Sequence, residues 1–288
     1  MLIHTNDQLE NFYLKCQKHK IIAVDTEFYR VDTYYPFLCL IQLANNEETI
    51  IIDPLMKNID LKILGSILNS RNILKVFHAA NQDLEIFFNL FKKIPINVVD
   101  TQICIGLLGF SDSLGYADSV NFFLKKIINK SYQFIDWRKR PLSSQKINYA
   151  VNDVKYLIPL YKKVLQQLKK NNIFLDISES HEKILKKKNY LKSPNFAWEK
   201  LKIKNPKKYK IKILKDVCKS RESYAKKLNI PVKRIVTDKE IKFISKKKTK
   251  NDQIMNIIER IKIKAFSNDI IKILGIQKVN FLKSFSKN

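Results

Sequence analysis

The sequence predicts an α/β domain with a mixed five-stranded sheet flanked by helices, followed by a small all-α helical bundle. Short apolar runs rich in β-branched residues alternate with stretches of helical spacing as far as about residue 170. From about residue 195 onward only helical spacing is found, and nearly all of the excess positive charge lies in the later part of the chain. We therefore predict a first domain over residues 1–170, a basic connector over 171–194 and a helical domain over 195–288.

Five predicted strands make up the sheet. The first, Ile21–Val24, is a run of four apolar residues that we expect to form a buried strand with Asp25 and Glu27 at its end. It forms an antiparallel meander with the next two strands, whereas helices separate the later strands, so the sheet is mixed. The other strands are predicted at residues 37–44, 49–52, 73–77 and 96–99. Helices are predicted at residues 5–16, 60–68, 101–108, 116–128 and 143–170, with one more that begins at Asn81, and Pro159 is expected to kink the longest.

Length and composition exclude several classes of protein. A chain of 288 residues can bury a full core, and it has no apolar run of about 18 residues, so no membrane-spanning helix is expected. The first residues lack the basic and then apolar pattern of a secretion signal. The cysteines form no CxxC pair, which indicates a reducing compartment, and we expect a cytoplasmic protein. They are Cys16, Cys39, Cys104 and Cys218.

The formal net charge is +27, and it is distributed unevenly. Residues 1–160 carry a net charge of +2, and residues 161–288 carry +25. A field of this kind attracts polyanions, of which nucleic acid is the usual one. The chain is also rich in Lys, Ile and Asn and poor in Gly, so AT-rich coding is an alternative source of part of the lysine excess.

Asp25 and Glu27 are the first candidate functional residues. Side chains two apart on a strand point to the same face, and two carboxylates held there repel each other unless a cation lies between them. The alternative is that both acids are simply solvated at the strand end. The four histidines show no ligand spacing, so a metal would be held by carboxylate oxygens, which favours Mg²⁺ or Mn²⁺ over Zn²⁺.

Two further acids come from helices. Asp83 lies in the first turn of the helix from Asn81, where an acid also complements the helix dipole. Tyr149 and Asp153 lie four residues apart on one helix face, a spacing that packing or chance can also give. Together, Asp25, Glu27, Asp83 and Asp153 can converge at one edge of the sheet, as a site with two divalent cations requires. Tyr149 is then expected to orient a water by hydrogen bonding, because a phenol is a poor base at neutral pH.

Five segments of the first domain resemble bacterial ribonuclease D, of the DEDD superfamily of 3′–5′ exonucleases: DTEF, TYYPFLCLIQLA, FHAANQDLEIF, DWRKRPLS and YAVNDVKYL. The resemblance covers about residues 1–170, and Tyr149 matches the tyrosine subclass. It implies a ribonuclease H-like fold and a hydrolase that releases nucleoside 5′-monophosphates from RNA 3′ ends, with transfer RNA precursors as the suggested substrate. It also implies that the four acids bind two Mg²⁺ or Mn²⁺ ions, with Asp25 as the bridge and Tyr149 positioning the water.

A second set of candidates concerns the substrate. Lys130, Gln133, Asp136 and Trp137 match the Lys-x-x-Gln-x-x-Asp-Trp stretch of this family. Lys130 is a candidate phosphate contact by its charge, and Gln133 is grouped with it as substrate-binding. We expect Trp137 to pack and Asp136 to cap. His78 follows the predicted strand 73–77 and is a candidate substrate contact beside the site, with packing as the alternative to a role as a ligand.

The helical part is similar, over residues 214–244, to the helicase and ribonuclease D C-terminal (HRDC) domain, which implies a basic surface that grips RNA. Residues 265–288 are too few for the second such domain of longer relatives. No obligate protein partner and no membrane association are inferred. Two other classes stay open: a DNA 3′–5′ exonuclease of the proofreading or Werner type, and a non-catalytic RNA-binding protein that needs no metal.

Overall fold

The computed structural model describes residues 1–56, 59–129, 131–133, 135–173 and 175–276, so the candidate Lys130 lies outside the described residues. The chain divides into two compact units. The first contains Met1–Arg30 and Pro36–Tyr190, and the second contains Val31–Tyr35 together with the chain from Leu191 onward. A short segment between the first two strands thus belongs to the second unit.

The first unit is built on a five-stranded sheet with the strand order β3-β2-β1-β4-β5. β1 pairs antiparallel with β2, and β2 with β3, whereas β1, β4 and β5 are parallel. The predicted meander and the mixed sheet are therefore confirmed. The strands are β1 Ile21–Tyr29, β2 Phe37–Ala44, β3 Thr49–Ile52, β4 Leu74–Phe77 and β5 Val98–Asp100.

β1 is longer than predicted. The apolar run predicts residues 21–24 with Asp25 and Glu27 at the end of the strand, whereas the strand continues through both acids to Tyr29. On one side, β4 pairs with β1 only as far as Ala23, but on the other side β2 pairs with it up to Tyr29. The pairing with β2 keeps β1 extended as far as Tyr29. In the described residues, the other edge of β1 has no strand partner beyond Ala23. Asp25 and Glu27 therefore lie on a rigid strand beside an open sheet edge.

Eight helices accompany this sheet in the described residues: α1 Asn6–His19, α2 Leu61–Leu68, α3 Asn81–Phe91, α4 Thr101–Leu107, α5 Tyr116–Leu124, α6 Ser144–Lys155, α7 Leu157–Lys170 and α8 Leu175–Ile184. α1 begins with a capping box in which Thr5 and Gln8 exchange hydrogen bonds. α5 ends before its predicted end at residue 128, because Lys125 adopts a left-handed conformation with φ of 55°. α8 lies within the range that the sequence predicts as a connector.

The predicted long helix over residues 143–170 is two helices. α6 ends at Lys155 and α7 begins at Leu157, with Tyr156 between them. Pro159 has no amide hydrogen to donate to the carbonyl of Lys155, and its ring crowds that carbonyl. The helix therefore breaks rather than kinks. Tyr149 and Asp153 both stay on α6, which packs against β1, β2 and β3.

The sheet is buried on both faces. Ile22 and Val24 of β1 point into a core that includes apolar residues of α1, α2 and α3, and Ala23 points into a second core that includes residues of α4, α5 and α7. Strands covered on both sides are expected to be apolar throughout. Because side chains alternate along a strand, Asp25 and Glu27 lie on the same face as Ala23. Both acids therefore face the side that α6 covers.

The second unit is helical in its described residues, as predicted. Its α-helices are α9 Ile211–Leu228, α10 Val232–Ile235, α11 Asp238–Ile244, α12 Asn251–Arg260 and α13 Lys264–Leu274, and 3₁₀ turns precede them at Pro194–Leu201 and Pro206–Lys208. Tyr34 lies in its core, where its hydroxyl donates to the buried Glu222. The Asn229 side chain accepts the backbone N–H groups of Tyr34 at 3.2 Å and Tyr35 at 3.1 Å. None of the described helices is long and apolar enough to cross a bilayer.

Candidate active site

Asp25 and Glu27 lie two residues apart on β1, partly buried, with side chains on the same face. Burial raises the pKa of Asp25 well above its usual range, and the nearby charges of Asp83, Asp153 and Glu27 raise it further. Burial, with the charges of Asp153 and Asp83, raises the pKa of Glu27 to about 9. Asp25 and Glu27 therefore lie close enough to Asp83 and Asp153 for the charges of these two acids to raise their pKa values.

Asp83 reaches the same place from α3. The helix begins at Asn81, soon after β4, and β4 lies parallel to β1. The Asp83 side chain is buried, at 6% exposure, and accepts a hydrogen bond from the hydroxyl of Thr26 on β1. Burial raises the pKa of Asp83 to about 7, although the bond from Thr26 acts in the opposite direction. The carboxylate therefore lies against the strand that carries Asp25.

Asp153 and Tyr149 approach from α6, on the face that packs across the first three strands. Burial raises the pKa of Asp153 to about 7, and a hydrogen bond from Tyr149 lowers it. Burial also raises the pKa of Tyr149, and the charges of Asp153, Glu27 and Asp25 add to that effect. Tyr149 is therefore a neutral phenol at physiological pH, suited to hydrogen bonding and unsuited to removing a proton.

The structure thus brings the four acids and Tyr149 into one region of the first unit. Their donor set consists only of carboxylate oxygens, which suits a hard divalent cation such as Mg²⁺ or Mn²⁺. No positive charge in the described part of the chain is a cause of these pKa shifts, and a bound cation would supply one. Among the described residues, no three His, Cys, Asp or Glu side chains are already grouped closely enough to hold an ion. Binding would require the side chains to turn toward one another.

Two of the candidate substrate contacts, His78 and Gln133, lie in different surroundings from the acids. Both ring nitrogens of His78 have partners inside the fold, with Thr101 Oγ1 at 2.9 Å from Nδ1 and the Leu114 carbonyl at 3.0 Å from Nε2. Burial lowers the pKa of His78. These contacts favour packing over a substrate contact for this side chain. Gln133 is exposed in a turn.

The Asp-Trp stretch supports Tyr149. Trp137 is 1% exposed, and its ring centre lies 5.9 Å from that of Tyr149; the ring centre of Tyr132 is also 5.9 Å from that of Tyr149. Asp136 accepts from the backbone and the guanidinium of Arg138, with both side-chain bonds at 2.9 Å. The rings therefore restrict the orientation of the phenol.

Arg140 is a supporting residue that the sequence did not single out. Its guanidinium makes a two-point contact with the buried Asp53, with N–O distances of 2.6 and 2.7 Å, and it also donates to the Trp137 carbonyl at 2.7 Å. The contact ties the Asp-Trp stretch to the end of β3. Its sequence signal was only a basic residue before a proline.

Asp100 is a second such residue. It ends β5 and is 1% exposed, and its carboxylate accepts the backbone N–H groups of Ala79 at 3.0 Å, Ala80 at 2.8 Å and Gln102 at 2.8 Å. Ala79 has a φ of 59°, in the left-handed region that non-glycine residues rarely adopt. Asp100 thus holds the strained turn that leads into α3 and Asp83. The sequence shows its cap position before α4 but not its contact with the turn.

Comparisons with known proteins identify the family. A family model described as a 3′–5′ exonuclease matches residues 1–169. A ribonuclease D of Sphingobium indicum is 35% identical over 270 residues, which cover 93% of this chain and 70% of the relative. A ribonuclease D of Bartonella henselae is 37% identical over 82% of this chain, but the match covers only 58% of that relative.

Among solved structures, the crystal structure of Escherichia coli RNase D, described as an exoribonuclease involved in structured RNA processing, has a TM-score of 0.82 and 26% identity. The match covers 97% of this chain and 76% of that one. It confirms the predicted order of a sheet domain followed by helices. The chain therefore belongs to the ribonuclease D family of 3′–5′ exoribonucleases.

Proposed function

We propose that this chain is a divalent-metal-dependent exoribonuclease that shortens RNA from its 3′ end and releases nucleoside 5′-monophosphates. The observation that carries the proposal is the set of four neighbouring carboxylates whose pKa values are all raised. Buried acids whose charges are not neutralised lower the stability of a fold. A cluster of such acids is therefore a candidate site for cation binding. Precursors of transfer RNA are the substrate that we propose, in the cytoplasm, where the free thiols of all four cysteines stay reduced.

In this proposal, Asp25, Glu27, Asp83 and Asp153 hold two divalent cations, Mg²⁺ or Mn²⁺. When bound, such ions polarise the scissile phosphate and lower the pKa of water. Water adds to the phosphorus between the last two nucleotides, and the bond from that phosphorus to the 3′ oxygen of the penultimate nucleotide breaks. One hydrogen of the water ends on that 3′ oxygen, which becomes the terminal hydroxyl of the shortened RNA. The terminal nucleotide leaves with its 5′ phosphate.

Tyr149 has a defined part in this reaction. Its hydroxyl hydrogen is used in the bond to Asp153, so the phenolic oxygen is left to accept a hydrogen of the attacking water. That contact turns a lone pair of the water toward the phosphorus. Because the rings of Trp137 and Tyr132 restrict the phenol, the water is oriented before the reaction begins.

We propose that the second unit guides the RNA as an HRDC-like domain. Residues 191–288 carry a net charge of +20, which favours phosphate binding. Phe196 is 62% exposed, and the Lys215 ammonium lies 4.4 Å from the centre of the Trp198 ring. Aromatic rings interleaved with lysines are suited to single-stranded RNA, whose bases stack on the rings.

The test uses purified protein, a 3′-extended RNA and a DNA strand of the same sequence, with product sizes followed with and without Mn²⁺. The expected result is release of nucleoside 5′-monophosphates from RNA only when the metal is present. The Asp25→Asn variant should release none while still binding the RNA. Release from DNA alone would favour the proofreading class, and RNA binding without any release would favour a non-catalytic binding protein.

A further inference from the structure

Gln42 is a buried polar residue that the reaction scheme above does not use. It lies on β2 and is 0% exposed. Within the part of the chain that the structure describes, neither its amide nitrogen nor its amide oxygen has a hydrogen-bond partner. Orphaned amides in a core cost stability, so a side chain of this kind calls for a physical reason.

The register of the sheet gives the neighbours of Gln42. It is paired directly with Asp25 on β1, and directly opposite residues of an antiparallel pair share a face, with Cβ atoms about 4.5–5.5 Å apart. On its other side it is paired with Ile51. Leu40 and Ala44, two residues away along β2, share its face and are also buried. The polar position beside Gln42 in this register is therefore Asp25.

A carboxylate that binds cations leaves lone pairs that do not face the metal. Such ligands are usually held by hydrogen bonds from a second group, which fix the carboxylate's orientation. An amide N–H is a suitable donor, since it carries no charge that would compete with the cations for the carboxylate. α6 packs across β1, β2 and β3 and covers this face, so bulk water is a poor source of the same bond.

We propose that Gln42 is a positioning residue for Asp25: in the metal-loaded protein its amide N–H donates to one carboxylate oxygen of Asp25 and directs the other oxygen toward the ions. This inference rests on the proposed function, because it assigns Gln42 to the support of the same metal site. It gives a reason for a buried amide that has no hydrogen-bond partner among the described residues. Gln42 itself contacts neither the ions nor the RNA.

The test replaces Gln42 with methionine, which has nearly the same length and shape and no amide. Leu43→Met is the matched control, since Leu43 is the next residue of β2, is 0% exposed and packs in the core on the opposite face. Three quantities are measured for both variants and for the unsubstituted protein: the midpoint of thermal unfolding in chelator, the affinity for Mn²⁺ by calorimetry, and the rate of nucleotide release against Mn²⁺ concentration.

For Gln42→Met we expect an unfolding midpoint equal to or above that of the unsubstituted protein, because an orphaned amide is removed from the core. We expect its affinity for Mn²⁺ to fall about 10- to 100-fold, the usual effect of losing a residue that supports a metal ligand. The rate of release should then need correspondingly more Mn²⁺. Leu43→Met should bind Mn²⁺ as the unsubstituted protein does.

The outcomes separate the two proposals. If the unsubstituted protein binds no Mn²⁺, the proposed function fails, and the inference fails with it. If that protein binds Mn²⁺ and Gln42→Met binds it equally well, only the inference about Gln42 is overturned. A Gln42→Met protein that does not fold, or that unfolds at a clearly lower temperature with unchanged Mn²⁺ affinity, also overturns it, because the amide would then serve the fold itself.

Discussion

The carboxylates of the site should make the metal-free protein less stable as the pH rises, and Asp83 allows a quantitative test. Its pKa is raised by burial from the ordinary 3.8 to about 7. A group whose pKa is higher in the folded state stabilises the fold fully below its unfolded pKa. That contribution is lost as the pH rises through the folded value. For Asp83 the loss falls between about pH 4 and pH 7.

The size of the effect follows from the shift. A difference of about three pKa units at about 1.4 kcal/mol per unit corresponds to about 4 kcal/mol at pH 8. Water that enters around the ionised group and adjustment of the other acids reduce this figure, so we expect about 2–4 kcal/mol. Asp83→Asn cannot ionise, and its amide oxygen can still accept the hydrogen bond from Thr26. The variant should therefore be more stable than the unsubstituted protein at pH 8, by this amount, and about equally stable near pH 4.

The assay is urea denaturation in chelator at intervals from pH 4.5 to pH 8.5, for the unsubstituted protein and for Asp83→Asn. Glu10→Gln serves as the control, since Glu10 is an exposed acid on α1, outside the site. Mn²⁺ should restore the stability of the unsubstituted protein at pH 8 and have little effect on Asp83→Asn. The reasoning is refuted if the unsubstituted protein keeps its stability up to pH 8.5, or if Asp83→Asn is the less stable of the two there.

Three other predictions concern different parts of the molecule. Tyr149→Phe keeps the ring packing and loses the hydroxyl, so kcat should fall about 100-fold or more while Mn²⁺ affinity is retained; single-turnover kinetics measure this, and an unchanged kcat would contradict the role of the phenol. Asp100→Ala leaves the backbone donors of Ala79, Ala80 and Gln102 without their acceptor, so the free energy of unfolding should fall by about 3 kcal/mol in urea denaturation, and a change below about 1 kcal/mol would exclude the turn-holding role. RNA affinity should fall steeply between about 50 and 200 mM salt, with a shallower slope once Lys215 is replaced by alanine, and a flat salt response in fluorescence titrations would count against the basic surface.

The sequence predicts those features that depend on neighbours along the chain. A β-branched run places Asp25 and Glu27 on one strand face, and the i, i+4 spacing places Tyr149 and Asp153 on one helix face. The predicted meander also follows from short separations between strands. These are local properties, and the resemblance to one family adds the order in which the segments come together.

The features that the sequence does not give arise from contacts between distant segments. β1 extends to Tyr29 because β2 pairs with it there, and β4 does not, which no property of residues 21–24 reveals. Asp100 lies 17 residues beyond Asp83. Its position before α4 already explains an acid there as a helix cap, so the sequence gives no sign of its contact with the β4–α3 turn. The short segment Val31–Tyr35 belongs to the second unit through Glu222 and Asn229, which are nearly 200 residues away. Contacts of this kind depend on the fold of the whole chain and not on the sequence near either residue.

The supporting contacts explain how the fold tolerates its own site. Neighbouring buried acids reduce stability as they ionise, and the loss at pH 8 from Asp83 alone is a large share of the roughly 5–15 kcal/mol that holds a typical domain together. Asp100, the Arg140–Asp53 contact and the rings around Tyr149 hold the elements that present these acids, and none of them depends on a metal. These contacts therefore hold the backbone of the site in place without help from an ion. Metal binding then has only side chains left to order, which keeps its cost in conformational entropy low.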